Sequence, residues 1–205
     1  MSESHWHTLA TLASATCWGL FALTWLIGAV YNEQHAPKAR RRAARIFPWA
    51  LILVLAIIVL LGIPHTSWRS LTVRSGWAYA PGLAILLVST VFTLWARAVL
   101  GKMWTLSPVL KEDHALRTAG PYAVTRHPIY TGMLGMLIGT ALLAGLGHWL
   151  VLLVLAVVII EGKIQAEEGL LVEAFPGHYE QYRRRVPRLV PGASRLRGML
   201  GRLRH

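Results

Sequence analysis

The densest run of groups able to hold a polar ligand is Arg126-His127-Pro128-Ile129-Tyr130, with Gly132 just beyond it and Gly120-Pro121-Tyr122 just before. Pro128 marks a helix start, because proline lacks an N–H that the first helical turn would leave unpaired anyway. A helix that begins at His127 or Pro128 presents free N–H groups beside Arg126, and such groups next to a guanidinium suit a carboxylate or a phosphate. A second polar run, Glu161, Lys163, Gln165, Glu167 and Glu168, follows the apolar stretch from Trp149 to Ile160 and continues the same helix toward Leu171 and Phe175. On that helix Lys163 and Glu167 share one face, while Glu161, Gln165 and Glu168 share another. Carboxylates so close to hydrocarbon are costly and usually meet a cation or a polar ligand.

Other chemistries are weakly supported. His5, His7, His35, His65, His148, His178 and His205 lie at ends or turns, and neither HxxxH or HxxHH boxes nor a zinc-type pairing occurs. No metal site is therefore expected. Cys17 is the single cysteine and sits inside an apolar run, so no internal disulfide is expected.

These polar runs have to be positioned by a membrane-embedded scaffold. Of 205 residues, 55% are hydrophobic and 15% charged, with a mean hydropathy of +0.47, too apolar for a water-soluble fold of this size. Spanning helices are expected over Leu9 to Val30, Phe47 to Ile63 and Trp77 to Trp95. Two shorter spans, Ile129 to Ala144 and Trp149 to Ile160, are joined by Gly145-Leu146-Gly147-His148, a tight turn, and make a helical hairpin. The fold class is thus an all-α membrane bundle of about five helices. Gly132, Gly135 and Gly139 leave one face of the fourth helix nearly bare, which predicts close packing within the hairpin.

A net charge of +12 does not indicate nucleic acid, because the basic residues lie between and after apolar runs, where they orient a membrane protein. Alternating the five spans puts nineteen of the 21 Lys and Arg residues on one side and only Arg69 and Arg74 on the other. That side is cytoplasmic by the positive-inside rule, with the N-terminus outside. Met1 to Thr8 carries no Lys or Arg and the apolar stretch after it is too long for a signal peptide's core, so the first span is read as retained. Seven of nine acidic residues fall in the two last cytoplasmic regions, so the segment entering the hairpin and the one leaving it face the same compartment. We read one membrane domain: three spans over residues 1–100, a cytoplasmic linker, hairpin and C-terminal segment over 101–191, and a basic tail over 192–205. In that tail Leu196, Met199, Leu200 and Leu203 alternate with arginines, as in a helix lying on an anionic membrane surface or a disordered basic end.

Taken in order, His114, Gly120-Pro121-Tyr122, Arg126-His127-Pro128-x-Tyr130-x-Gly132, Glu167-Glu168, Phe175, Tyr179, Tyr182 and Val186-Pro187 resemble the isoprenylcysteine carboxyl methyltransferase family, whose motif related membrane phospholipid methyltransferases share. The resemblance covers roughly Trp104 to Pro191. It implies an enzyme that uses S-adenosylmethionine (SAM), bound on the cytosolic side between the linker before the hairpin and the C-terminal segment, with a lipophilic acceptor entering from the bilayer. It further implies cofactor contacts from His114, Ala115, Leu116, Arg117, Tyr122, His127, Pro128, Ile129, Tyr130 and Glu167. Arg126, Lys163 and Glu168 are the candidates for work on the acceptor. Lys163 departs from the family, whose enzymes for prenylated cysteine carry an arginine there; lysine keeps the charge but not the two-pronged grip on a carboxylate. Two other readings are a membrane sterol-type reductase using NADPH and a non-enzymatic lipid-binding bundle.

Overall fold

The computed structural model describes residues 3–35, 39–40, 72, 76–101, 110–111 and 116–189. The expected span Phe47 to Ile63, most of the linker including His114 and Ala115, and the basic tail lie outside them. The elements are α1 (Glu3–His35), β1 (Ala39–Arg40), α2 (Gly76–Leu100), β2 (Leu110–Lys111), α3 (Pro121–Val124), α4 (Pro128–Ala144), α5 (Trp149–Ala174) and α6 (His178–Arg185).

Helices α1, α2 and α5 are each long and apolar enough to cross a bilayer, over His5–Asn32, Gly76–Leu100 and Trp149–Ala174. With 17 residues, α4 reaches about 25 Å at 1.5 Å per residue, somewhat short of the hydrocarbon thickness. Helix α4 begins where Pro128 dictates, with His127 as its N-cap. It stops at Gly145, whose φ of 88° is left-handed. Leu146 and Gly147 also have positive φ, 64° and 53°, and the Leu146 N–H closes onto the Ala141 carbonyl at 2.7 Å. The hairpin turn is therefore as tight as expected, and Leu146 adopts a conformation that branched side chains ordinarily avoid.

Helices α1 and α2 run in the same direction: His7 meets Tyr79 near one end and Gly28 meets Arg97 near the other. Helix α4 runs back against α2, and α5 returns beside α4. The C-terminal ends of α1, α2 and α5 and the start of α4 thus share one end of the bundle, which is the polar end. A two-residue antiparallel ladder, Ala39 to Lys111 and Arg40 to Leu110, ties the segment after α1 to the linker after α2.

The glycine face of α4 corrects one expectation. It packs against α2, not against its hairpin partner α5. A Cβ on Gly132 would collide with Thr93, one on Gly135 with Ser89, and one on Gly139 with the Leu86 backbone N at 2.7 Å and the Gly82 carbonyl at 2.8 Å. In hydrocarbon there is no hydrophobic drive between helices, so backbones approach wherever both surfaces are bare, and α2 supplies the matching bare surface. Its buried Thr90 and Thr93 bond back to the Leu86 and Ser89 carbonyls, each at 2.7 Å, so both threonine hydroxyls are satisfied within α2. Leu86, Met136, Leu143 and Cys17 form the core beside it, and Trp18 of α1 donates to the Thr140 hydroxyl at 3.1 Å. Backbone cannot yield as a flexible side chain can, so Gly139→Ala should cost about 1–3 kcal/mol of stability. Thermal unfolding in detergent checks this, with Gly169→Ala, where the added methyl meets nothing within 4 Å, as the control that loses none.

Candidate functional site

Past α3 the chain becomes extended, and there it pairs with the segment leaving α6. The Arg126 N–H donates to the Pro187 carbonyl at 2.9 Å and the His127 N–H to that of Arg188 at 3.2 Å. Hydroxyls reinforce the seam: Thr125 donates to the Arg188 carbonyl at 3.0 Å, Thr131 to that of Leu189 at 2.7 Å, and Tyr182 to that of Tyr122 at 2.6 Å. Beneath it, Tyr179, Tyr182 and Val186 pack on Leu116, Leu171, Val172 and Phe175, and Glu180 caps α6 by accepting from the Gly177 N–H at 2.9 Å. The two polar stretches that the sequence places far apart are thus one assembly at the polar end.

The Arg126 guanidinium is engaged within the protein. Its Nε and Nη2 donate to Glu168 Oε1 at 3.0 and 2.9 Å, and its Nη1 donates to the carbonyls of Arg183 and Val186, both at 2.9 Å. With a side chain only 10% exposed, it is a pin that fixes α5 and the end of α6 to the start of α4. Glu168 is the other half of that pin. The same Oε1 lies 3.2 Å from His127 Nε2 and 3.6 Å from Arg188 Nε, so Glu168 holds other residues in place. Arg188 Nη1 also donates to Glu161 at 2.6 Å, and Gln165 donates to Glu161 at 3.0 Å, so the expected Glu161, Gln165 and Glu168 face exists and is built into this network.

Glu167 differs from its neighbour. Its Oε1 accepts from the Tyr130 hydroxyl at 2.5 Å, and its Oε2 lies 3.5 Å from His127 Nδ1, yet its side chain remains 32% exposed. Tyr122 is buried, with its hydroxyl reaching the Ala96 carbonyl of α2 at 3.5 Å. Burial and then the nearby Glu167 charge push that hydroxyl's pKa well above the ordinary phenol range, so it stays protonated. Tyr179 is pushed up likewise, by burial and then by Glu168. Tyr122, His127, Tyr130 and Glu167 therefore form one cluster, with a partly exposed carboxylate beside two buried rings and the half-buried Tyr130.

His127 is where pH should act. Burial alone would lower its pKa, but hydrogen bonds and charge from Glu167 and Glu168 outweigh burial and hold it above the ordinary 6.5. A raised folded-state pKa means that the imidazolium's contribution is complete below about pH 6.5 and is lost as pH rises through the raised value. The wild-type melting temperature should fall across that window, while His127→Asn should lack the step. Identical profiles for the two proteins would take His127 out of the network.

Of the other residues singled out in sequence, Lys163 is half-buried one turn before Glu167 on the same face, Pro128 is buried and Ile129 half-buried. Leu116 lines a groove of about 710 Å³ with Phe175, His178, Tyr182 and Arg185, and Arg117 is exposed. His114 and Ala115 lie outside the described residues. Thr125, Thr131 and Arg188 were not picked out in sequence. For the threonines no signal was available, since their partners are backbone carbonyls roughly sixty residues away. Among the described residues no three His, Cys, Asp or Glu side chains gather as a metal site.

A family model described as Phospholipid methyltransferase matches residues 77–177, from α2 through the end of α5. Protein-S-isoprenylcysteine O-methyltransferase of Schizosaccharomyces pombe is 40% identical over 83 residues, 39% of this chain and 34% of that one. Protein-S-isoprenylcysteine O-methyltransferase B of Arabidopsis thaliana is 31% identical over 120 residues, 56% of this chain and 60% of that one. The structure of a eukaryotic intramembrane Ras methyltransferase, ICMT (isoprenylcysteine carboxyl methyltransferase), superposes with a TM-score of 0.53 at 21% identity, covering 73% of this chain and 54% of that one. The chain is thus similar to membrane methyltransferases of the phospholipid and isoprenylcysteine types over its α2 to α5 region.

It spans between about a third and two thirds of the length of the curated relatives it matches. One of these, the cobalt-zinc-cadmium resistance protein CzcN of Cupriavidus metallidurans, is 28% identical over 155 residues, 75% of this chain and 67% of that one. The chain holds its motif carboxylates in two states: Glu168 shut in by Arg126, His127 and Arg188, and Glu167 open at one edge. A partly exposed carboxylate beside a tyrosine hydroxyl and an imidazole can accept from the hydroxyl or ammonium groups of a nucleoside-amino acid conjugate. That donor set fits the methyl donor which the family resemblance implies.

Proposed function

We propose that this chain is a SAM-dependent methyltransferase that works at the polar end of the bundle on a lipophilic acceptor. The observation that carries the reading is Glu167, open at one edge and held by Tyr130 and His127 inside an assembly that the Glu168 and Arg126 pair locks together. SAM, when bound, supplies a methyl group on a sulfonium whose leaving thioether is neutral, so little acid-base help is needed. The protein's task is then alignment and exclusion of water. Glu167 accepts hydrogen bonds from the donor, His127, Tyr130 and Tyr122 wall the site, and Leu116 and Arg117 border it from the linker. Lys163, one turn nearer the hydrocarbon, orients the polar end of the acceptor. With a lysine in place of an arginine, a planar carboxylate is held less firmly than in the enzymes acting on prenylated cysteine. We place the polar end in the cytoplasm and the N-terminus outside, from the bias in basic residues, with the whole chain as one membrane domain.

The test is to incubate purified protein with radiolabelled SAM and a total membrane lipid extract, then to identify what becomes labelled. Label is expected in a lipophilic product and should be lost with Glu167→Gln. Saturable binding of NADPH with none of SAM would favour a reductase, and binding of neither would favour a lipid-binding bundle.

A further inference from the structure

Helix α6 descends toward the membrane. Its Tyr179, Tyr182 and Val186 pack on Leu171, Val172 and Phe175, well past the apolar run of α5, whereas the stretch that follows α6 returns to the end of that run. There Arg188 Nη1 donates to Glu161 at 2.6 Å, and Glu161 is the first charged residue after Ile160. The Leu189 carbonyl accepts from Thr131 in the first turn of α4 at 2.7 Å. The C-terminal turn of α6 therefore sits at the depth where α4 and α5 meet hydrocarbon, and its Arg183 and Val186 carbonyls accept from Arg126, two residues before α4 begins. That turn carries Arg183, Arg184 and Arg185, all three exposed. The one acid of the helix, Glu180, is held at its other end by the Gly177 N–H. At 3.6 residues per turn, three successive side chains fan over about 200°, around the side of α6 that the buried tyrosines leave open. A helix C-terminus favours cations, but one would meet that preference. Three side by side at this depth match the phosphates of an anionic bilayer surface, which attracts Lys and Arg held close to it.

We propose that the C-terminal turn of α6 docks on anionic phospholipid headgroups and thereby holds the seam closed. The same turn supplies the two carbonyls that fill Arg126 Nη1, so lipid that steadies the turn steadies the junction between the start of α4 and the returning chain. The surface is independent of the methyl-transfer reading.

Hydrogen exchange of the full chain, compared between nanodiscs of phosphatidylcholine alone and of equal phosphatidylglycerol and phosphatidylcholine, tests the idea. Peptides covering 124–131 and 183–189 should exchange about fivefold more slowly beside the anionic lipid, the ratio that one arginine near such a surface supplies. The hairpin turn from Gly145 to His148, at the opposite end of the bundle, should exchange alike in both. The gain should vanish at about 1 M salt, where screening acts within about 3 Å. It should vanish too in a triple variant, Arg183→Gln with Arg184→Gln and Arg185→Gln, whose exchange in either lipid should equal that of the wild type in phosphatidylcholine. The salt series on the wild type decides the matter if that variant fails to fold. Equal exchange of the wild type in the two lipids, a gain that outlasts the salt or the triple substitution, or equal protection from polyglutamate added to phosphatidylcholine nanodiscs, which would mark an acidic protein partner instead, would overturn the proposal.

Discussion

Replacing Glu168 by alanine is expected to lower unfolding stability by about 3–5 kcal/mol, the range for removing one member of a buried ion pair. The size follows from what the carboxylate serves: Arg126, His127 and Arg188 all converge on its Oε1. Without it, Arg126 keeps two carbonyl acceptors but loses its counter-charge, at a position where its side chain is only 10% exposed. Unfolding should start at the polar end, because the Arg126 contacts to the Arg183 and Val186 carbonyls depend on the same guanidinium. Thermal unfolding in detergent measures the loss, and trypsin should now cut among Arg183, Arg184, Arg185 and Arg188. An unshifted melt with an unchanged tryptic pattern would show that the pin carries no weight.

Glu167→Gln should have the opposite profile. The amide oxygen can still accept from Tyr130, so the fold should hold, and the melting temperature without ligand should stay close to that of the wild type. What goes is the charge at the exposed edge. If that edge makes a charged hydrogen bond to SAM, affinity should fall by roughly 1–3 kcal/mol, or about 5- to 150-fold in Kd. Calorimetry with SAM decides it, and unchanged affinity would remove Glu167 from the site. Adjacent glutamates with opposite sensitivities, one in stability and one in ligand, are the signature of this assembly.

Sequence alone carried the scaffold a long way. Pro128 announced the start of α4, Gly145 to His148 announced the turn, and the polar continuation of α5 ran as far as expected. Its limits lay in partner choice. Three small residues on α4 declare that something comes close, but only the fold reveals that α2, with Gly82 and its self-satisfied threonines, is what does. The same limit governs Arg126. A guanidinium beside a helix N-terminus suggests a waiting anion, and nothing local tells that the Arg183 and Val186 carbonyls will fill its donors from nearly sixty residues away. The adjacent glutamates were legible as a pair, but their division of labour was not, because it depends on which one faces the returning chain.

The hydrogen-bonded seam between Arg126–His127 and Pro187–Arg188 also sets an order of events during biosynthesis. A ribosome that has delivered α4 and α5 has placed the hairpin in the bilayer, yet the polar end still lacks the strand that closes it. Only when the stretch to Leu189 emerges can Arg126 Nη1 find the Arg183 and Val186 carbonyls and the Thr131 hydroxyl that of Leu189. The polar end thus closes late, so a half-made chain can already lie in the bilayer while its two motif stretches are still apart.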